Sequence, residues 1–411
     1  VALWGQVPLP IPFNRLTLPA EERPANWEIS IGGSPLLWGD DGNGHAIWLR
    51  GADFSISHHA HINVFRHRVD YRAGFDDGIL FGPAAIIEGT GTLHVNSSLW
   101  SFGAETETFR NLKIDLGGAL GASGINLSTS SLLPGIYSLS QIPTFRANLP
   151  VNEFTAESKY QLGNTEVGLR GTLRNDQASG RIPSVDLESS TAFPLFVLPS
   201  TYRLEATHSF GKGLELLGSW EAGGRGFSGT FAGSEGTAST TSRYQHFDIA
   251  LKSSGPSLGF ESGAYSGATQ GVLENAEELG LGLPPSIVSY ADSLGVQWST
   301  LSYTVPMRAR QADSALTASY SWVNFSVSGS YDIFALIVHA GGDAGYSSGT
   351  HRVLGLKYEW SSRRRPGPFF SVEDLVPLSF SSHGGGNAES ASSGSSARIY
   401  GGLMFRLGLR F

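Results

Sequence analysis

The chain has 411 residues, with 53 Gly, 20 Pro, no Cys and a formal net charge of -8. The lack of Cys removes disulfide scaffolds, thiol catalysis and thiolate metal sites together, and the acidic balance argues against a nucleic-acid partner, which needs concentrated Lys and Arg. Hydrophobic residues reach 40%, yet no run of about 18 apolar residues appears, so a helical membrane protein is excluded, while Gly, Ser, Thr and aromatic residues favour pleated, turn-rich structure.

In chain order, the first 50 residues fit an all-β reading worst. Pro8, Pro10, Pro12, Pro19 and Pro24 deny a ladder its donors, so residues 1–50 are expected as a Pro-rich N-terminal segment, a plug or a periplasmic extension, ahead of the main domain at 51–411. After the last of these prolines, Trp27, Ile29 and Ile31 alternate with Glu28 and Ser30, which allows a first strand to begin there. Val1 opens without a charged n-region or an apolar h-region, so the sequence reads as a mature form. His58, His59, His61 and His67 cluster near Asp70, Asp76 and Asp77, but imidazoles without convergent geometry are ordinarily solvated, and no metal or cofactor is expected.

The strongest alternation starts at Glu153. Phe154, Ala156, Ser158, Tyr160 and Leu162 oppose Glu157 and Lys159, Gly163-Asn164 turn the chain, and Val167, Leu169, Gly171 and Leu173 return opposite Glu166, Arg170 and Arg174. Tyr202, Leu204, Ala206 and Phe210 then oppose Arg203 and Glu205, and Leu214, Leu216, Gly218 and Trp220 oppose Glu215 and Glu221. Phe247, Ile249 and Leu251 alternate with Asp248 and Lys252, and Leu354, Leu356, Tyr358 and Trp360 with Lys357 and Glu359. Tyr160, Tyr202, Trp220, Trp298, Tyr358 and Trp360 are expected as an aromatic belt on the apolar face.

Connection lengths add a second signal. Long loops are expected at Asp176 to Ser200, Gly223 to Ser242, Ser266 to Pro284, Gly341 to Thr350 and Ser381 to Ser396, with short turns between them, including Ala291 to Gly295 and Ser328 to Asp332. The connection at Met307 to Ser314 is short for its side. One long loop is greasy: Phe193, Leu195, Phe196, Val197 and Leu198 crowd into a few residues, and an apolar patch that size ordinarily meets a partner or ligand.

Residues 397–411 divide cleanly by parity. Ile399, Leu403, Phe405, Leu407, Leu409 and Phe411 form a greasy face, and Arg398, Met404, Arg406, Arg410 and small residues form the other. This aromatic-ended last strand resembles the C-terminal signal strand of bacterial outer-membrane β-barrels, which would make Phe405, Leu407, Leu409 and Phe411 the signal read by the barrel-assembly machinery. The resemblance implies an all-β fold, a transmembrane antiparallel β-barrel of about 16 strands (range 14 to 18), with short periplasmic turns and long extracellular loops.

On that reading the alternating charges, from Glu157 and Lys159 to Arg398, Arg406 and Arg410, line a lumen, where charged rings set ion selectivity or pair across strands. The expected function is an outer-membrane channel or transporter for passive diffusion of small solutes, with hydrophobic solutes favoured by the greasy loop, in contact with lipid and lipopolysaccharide. A structural or assembly component binding another envelope protein is the alternative. Outer-membrane lipid hydrolases are a third reading, with Ser55, Ser57 and His59 in reach, but no GxSxG, HExxH or P-loop spacing sits in a suitable context, so no catalytic residue is assigned and no enzyme is expected.

Overall fold

The computed structural model describes residues 27–40, 46–64, 67–86, 89–109, 111–129, 145–174, 179–181, 192–194, 200–211, 213–230, 236–273, 286–335, 338–364, 366–385 and 398–411. They form β1 (Trp27–Asp40), β2 (Ala46–Val64), β3 (His67–Ile86), β4 (Gly89–Phe109), β5 (Leu112–Thr129), β6 (Phe145–Leu162), β7 (Thr165–Arg174), β8 (Ser179–Arg181) and β9 (Ala192–Pro194). They continue as β10 (Thr201–Gly211), β11 (Leu214–Thr230), β12 (Gly236–Lys252), β13 (Ser257–Leu273), β14 (Ser286–Arg308), β15 (Ala312–Ala335), β16 (Val338–Ser362), β17 (Gly367–Gly385) and β18 (Arg398–Arg410).

Each strand pairs antiparallel with the next from β1 to β7; β7 then pairs with β10, and the order runs on to β18, which returns to β1. Sixteen strands therefore close a barrel. At the seam Glu28 lies opposite Arg410 and Ile31 opposite Leu407, and the Phe411 N–H donates to the Trp27 carbonyl at 2.9 Å. The short β8 pairs with β6 at Arg146 to Asn148, and β9 with β8, above the level reached by β7.

The two faces are sorted inside out. Trp100, Leu407 and Leu173 are 62%, 60% and 58% exposed, whereas Ser30 and Thr201 are 2% exposed. The buried apolar set among the described residues is Ala119, Tyr265, Val296, Ala315 and Phe369, which is no core for a soluble sandwich. Large apolar side chains cover the outside instead, as hydrocarbon requires of a barrel wall.

The extent of that coating is read from the register. On β15 the outward residues Leu316, Ala318, Tyr320 and Trp322 give way to Asn324, whose level continues through Gln297 and Ala264 to Gln245 on one side and Thr350 on the other. On β14 and β15 about ten residues lie between this polar line and the short turns, enough for the ~25 Å apolar band of a membrane-spanning barrel. At the turn end, Trp27 meets His58 at 4.3 Å, His58 meets Tyr71 at 5.7 Å, and Phe370 meets Trp360 at 5.6 Å and Tyr358 at 5.8 Å. Tyr160, Tyr202 and Trp220 are also exposed on the outer face. Trp298 departs from the expected belt: it shares the inner face with Gly263, its register partner.

The wall is uneven. β7 and β10 have 10 and 11 residues and barely exceed the apolar band, while β14, β15 and β16 have 23, 24 and 25 and rise far above it. The turns expected at Ala291 to Gly295 and Ser328 to Asp332, and the loop at Gly341 to Thr350, lie inside these strands. Above the band both faces are wet, so apolar alternation stops while the ladder continues. Met307 to Ser314 holds a tight turn at the short-turn end, where the Ala309 N–H donates to Ala312.

The strand number agrees with expectation by a different assignment, since two strands read into 285–340 are absent and β1 and β2 supply two at the start. Among the described residues the wall thus begins at Trp27, so 27–40 and 46–50 of the expected N-terminal segment belong to it. Pro35, inside β1, falls in a register shift against both neighbours, where a missing N–H costs the ladder least. Residues 1–26, with Pro8 to Pro24, lie outside the described residues.

Leu407→Arg places a charge on the lipid face and is expected to cost about 2–4 kcal/mol in equilibrium unfolding from phospholipid vesicles. Met404→Arg, on the inner face opposite Glu373, is expected to leave the unfolding midpoint nearly unchanged.

Candidate functional site

The inner wall carries its charges in a chain of ion pairs. On β6, Lys159 Nζ lies 3.0 Å from Glu157 and 2.9 Å from Glu205 of β10. Arg203, two residues before Glu205, lies 3.6 Å from it and reaches Asp248 of β12 at 3.1 Å. The chain crosses five wall strands because the intervening ones present small residues. A Cβ on Gly168 of β7 would stand 2.5 Å from Glu205 Cγ, and on β11 the Ser219 hydroxyl donates to Asp248. Arg170 sits in register between Glu157 and Arg203, and Thr201 donates to Glu221 at 2.5 Å.

The same construction recurs around the ring. Arg72 of β3 reaches Asp115 of β5 at 2.7 Å over Gly103 of β4, where a Cβ would stand 2.6 Å from the Arg72 Nε. Across the closing seam, Arg406 of β18 reaches Asp53 of β2 at 2.6 Å over Gly32 of β1. Arg410 reaches Glu28 of β1 at 2.9 Å, and its guanidinium sits 4.6 Å from the ring of the buried Phe369. Arg174 pairs with Glu153 at 3.0 Å and Lys357 with Glu359 at 2.8 Å. In each of these bridges between strands two apart, the strand beneath presents Gly or Ser at the crossing.

Most charges expected inside therefore stand together. Glu157, Lys159, Glu205, Arg203 and Asp248 make one network, and Arg174, Lys357, Glu359, Arg406 and Arg410 pair with near neighbours. Glu215 and Lys252 are direct cross-strand partners, Glu166 lies opposite Thr207, and Arg398 lies opposite Asp40 in the seam. Sequence reasoning missed Glu28, Asp53, Arg72, Asp115 and Glu153. Glu28 belongs to the strand whose start the alternation of Trp27, Ile29 and Ile31 allowed but which was not counted into the wall, and Asp53 to β2, where the signal is Phe54 and Ile56 around it.

Phe405, Leu407, Leu409 and Phe411 are 44%, 60%, 46% and 47% exposed along the outer face of the last strand. Of the greasy loop, Phe193 stands in β9 opposite Gly180, while Leu195, Phe196, Val197 and Leu198 lie outside the described residues.

The histidines do not converge. His58 stacks on Trp27 outside, while His59 pairs in register with Arg72 inside. No group of three or more His, Cys, Asp or Glu among the described residues is arranged around a metal position. The Ser55 hydroxyl shares a 2.6 Å hydrogen bond with Ser30 on the inner wall, turned away from the lipid a hydrolase would have to reach.

Closure, apolar exterior and polar, charge-lined interior together define the class: the chain is a closed sixteen-stranded antiparallel β-barrel of the membrane-spanning kind. No protein-family model and no curated protein matches it. Among solved structures, it is similar to the siderophore receptor PirA from Acinetobacter baumannii at 7% identity and a TM-score of 0.36, over 95% of this chain and 81% of that one. A mutant of the Rh. blastica porin is similar at 10% identity and a TM-score of 0.34, over 94% and 99%. OpdL from Pseudomonas aeruginosa is similar at 10% identity and a TM-score of 0.32, over 94% and 98%.

Asp53→Ala removes the partner of the half-buried Arg406 and is expected to destabilise the barrel by about 1–3 kcal/mol. In a double-mutant cycle with Arg406→Ala, the pair should cost less than the sum of the singles by at least about 0.5 kcal/mol, read from equilibrium unfolding in vesicles.

Proposed function

We propose that this barrel is a channel for passive diffusion of small solutes across the outer membrane. The observation that carries the reading is the inner wall, where hydroxyls, glycines and paired charges replace an apolar core. Barrels of 16 to 18 strands have a circumference wide enough to leave water inside once side chains of this size line them. Every described residue belongs to the wall, to the β8 and β9 pair or to a turn, which is consistent with such a lumen. Solutes would move down their gradient through water, with no energy source supplied by the chain.

The paired charges bear on selectivity. A ring of one sign would favour one ion strongly. Here Lys159 and Arg203 alternate with Glu157, Glu205 and Asp248, so the local fields oppose one another and ion selectivity is weak. The lumen then suits uncharged polar solutes as well as salts. Phe405, Leu407, Leu409 and Phe411 would serve as the strand that assembly machinery reads, and the apolar exterior meets outer-membrane lipid and lipopolysaccharide. The inward position of Ser55 favours transport over lipid hydrolysis.

In planar bilayers the purified protein is expected to give ohmic single-channel steps in KCl, with a reversal potential near zero in a salt gradient. Arg203→Gln should leave Glu205 and Asp248 less neutralised and move the reversal potential toward cation preference. The absence of any conductance would overturn the channel reading, and a strongly ion-selective wild type would overturn the account of the paired charges.

A further inference from the structure

On the inner wall one patch differs from the hydroxyls and ion pairs around it. Trp298 of β14 lies 6.2 Å from His246 of β12 with their planes 22° apart, and 6.1 Å from Tyr244 at 36°. Tyr244 and His246 are themselves stacked, 6.4 Å apart at 24°. All three contacts are inclined by less than 40°, so the rings make a platform and not a herringbone. The platform exists because β13 is stripped beneath it: a Cβ on Gly263 would stand 2.6 Å from the Trp298 Cε2, so only glycine lets the indole lie across the strand. With one π-face against Gly263, Trp298 offers the other to the lumen. Apolar ring faces in a wet passage carry a hydration cost that a bound apolar surface would relieve.

The polar groups around the rings narrow the ligand. One register step toward the turn end, Asp248, Glu261 and Thr300 stand in a row, with Glu261 3.9 Å from His246 Nε2 and Asp248 held by Arg203 at 3.1 Å. Carboxylates, a guanidinium and a hydroxyl thus border a flat apolar surface, and each carboxylate has a neighbour, Arg203 for Asp248 and His246 for Glu261. A pyranose has this amphiphilic form, with axial C–H groups on a flat face and hydroxyls around its rim, and it carries no charge. An organic cation would have to draw Asp248 from Arg203 and Glu261 from His246.

We propose that Trp298, His246 and Tyr244 form a stacking subsite for the ring of a neutral sugar passing through the lumen, with Glu261, Asp248 and Arg203 as hydrogen-bonding partners of its hydroxyls. The proposal rests on the channel reading above.

The test is current block by added solute in planar bilayers, using the full chain. Maltotriose is expected to reduce the open-channel current in a saturable manner, while a polyethylene glycol of equal hydrodynamic size and benzyltrimethylammonium do not saturate. Trp298→Ala should raise the half-blocking maltotriose concentration by about five- to tenfold, the worth of one aromatic face, while retaining the KCl steps. Trp298→Phe should recover part of the block. Gly263→Val, which displaces the indole without removing it, should weaken block as Trp298→Ala does. The heat-resistant gel shift of folded barrels checks each variant. Steps without saturable sugar block, equal block by the polymer, stronger block by the cation, or block indifferent to Trp298 would each overturn the subsite and leave the channel standing. If the wild-type protein gives no steps at all, the channel reading fails and the subsite fails with it.

Discussion

Hydrocarbon offers a backbone nothing to hydrogen-bond with, and the rest of this structure follows from that. An open sheet of sixteen strands would leave two rows of unmet N–H and C=O groups in lipid, each costing several kcal/mol, so the ladder must return on itself. β1 does this by pairing with both β2 and β18. Once the ladder is closed, the period-2 alternation of side chains leaves one face in lipid and one in the interior, and composition sorts accordingly: Leu407 and Leu173 outside, Ser30 and Thr201 inside. Stability comes from apolar surface that a soluble protein would have to hide.

The same constraint explains how far the sequence was legible. Within the apolar band one face must be greasy, so parity identified β6, β7, β10, β11, β12 and β18 and put Glu157, Lys159, Arg203, Glu205 and Asp248 on one side. Above the band water reaches both faces, and Ala291 to Gly295 or Ser328 to Asp332 looks like a turn while still inside a strand. β1 was only half legible because Pro35 and the glycines beside it interrupt the alternation where the register shifts. Trp298 was misplaced because an aromatic residue near the edge of an apolar run reads as belt. What turns it inward is parity within its own strand: Leu301 and Tyr303 are exposed on the outer face, so Trp298 falls on the inner one, where it meets Gly263 of β13.

Glycine plays a second part beyond making turns. Gly32, Gly103 and Gly168 each lie under a charged side chain that spans from one neighbouring strand to the other, and Gly263 lies under an indole in the same way. In each case the missing Cβ converts a position on the inner wall into space for someone else's side chain. Such spans couple strands two apart, which backbone hydrogen bonds never do, and they keep bulky groups flat against the wall. Open width inside the wall and lateral bracing of the sheet are thus obtained from the same small residues.

The bridge between Arg410 and Glu28 joins groups 382 positions apart in the chain. Contacts that distant cannot form until the chain has been made through Arg410, and loop-closure entropy places them late in folding. Until β18 arrives, β1 is an exposed edge, the kind of surface on which other chains pair and aggregate. The molecule therefore has a long vulnerable adolescence and a sudden maturity. Its last strand, greasy on one side and cationic on the other, completes the membrane surface and supplies Arg406 and Arg410 as clasps in the same event.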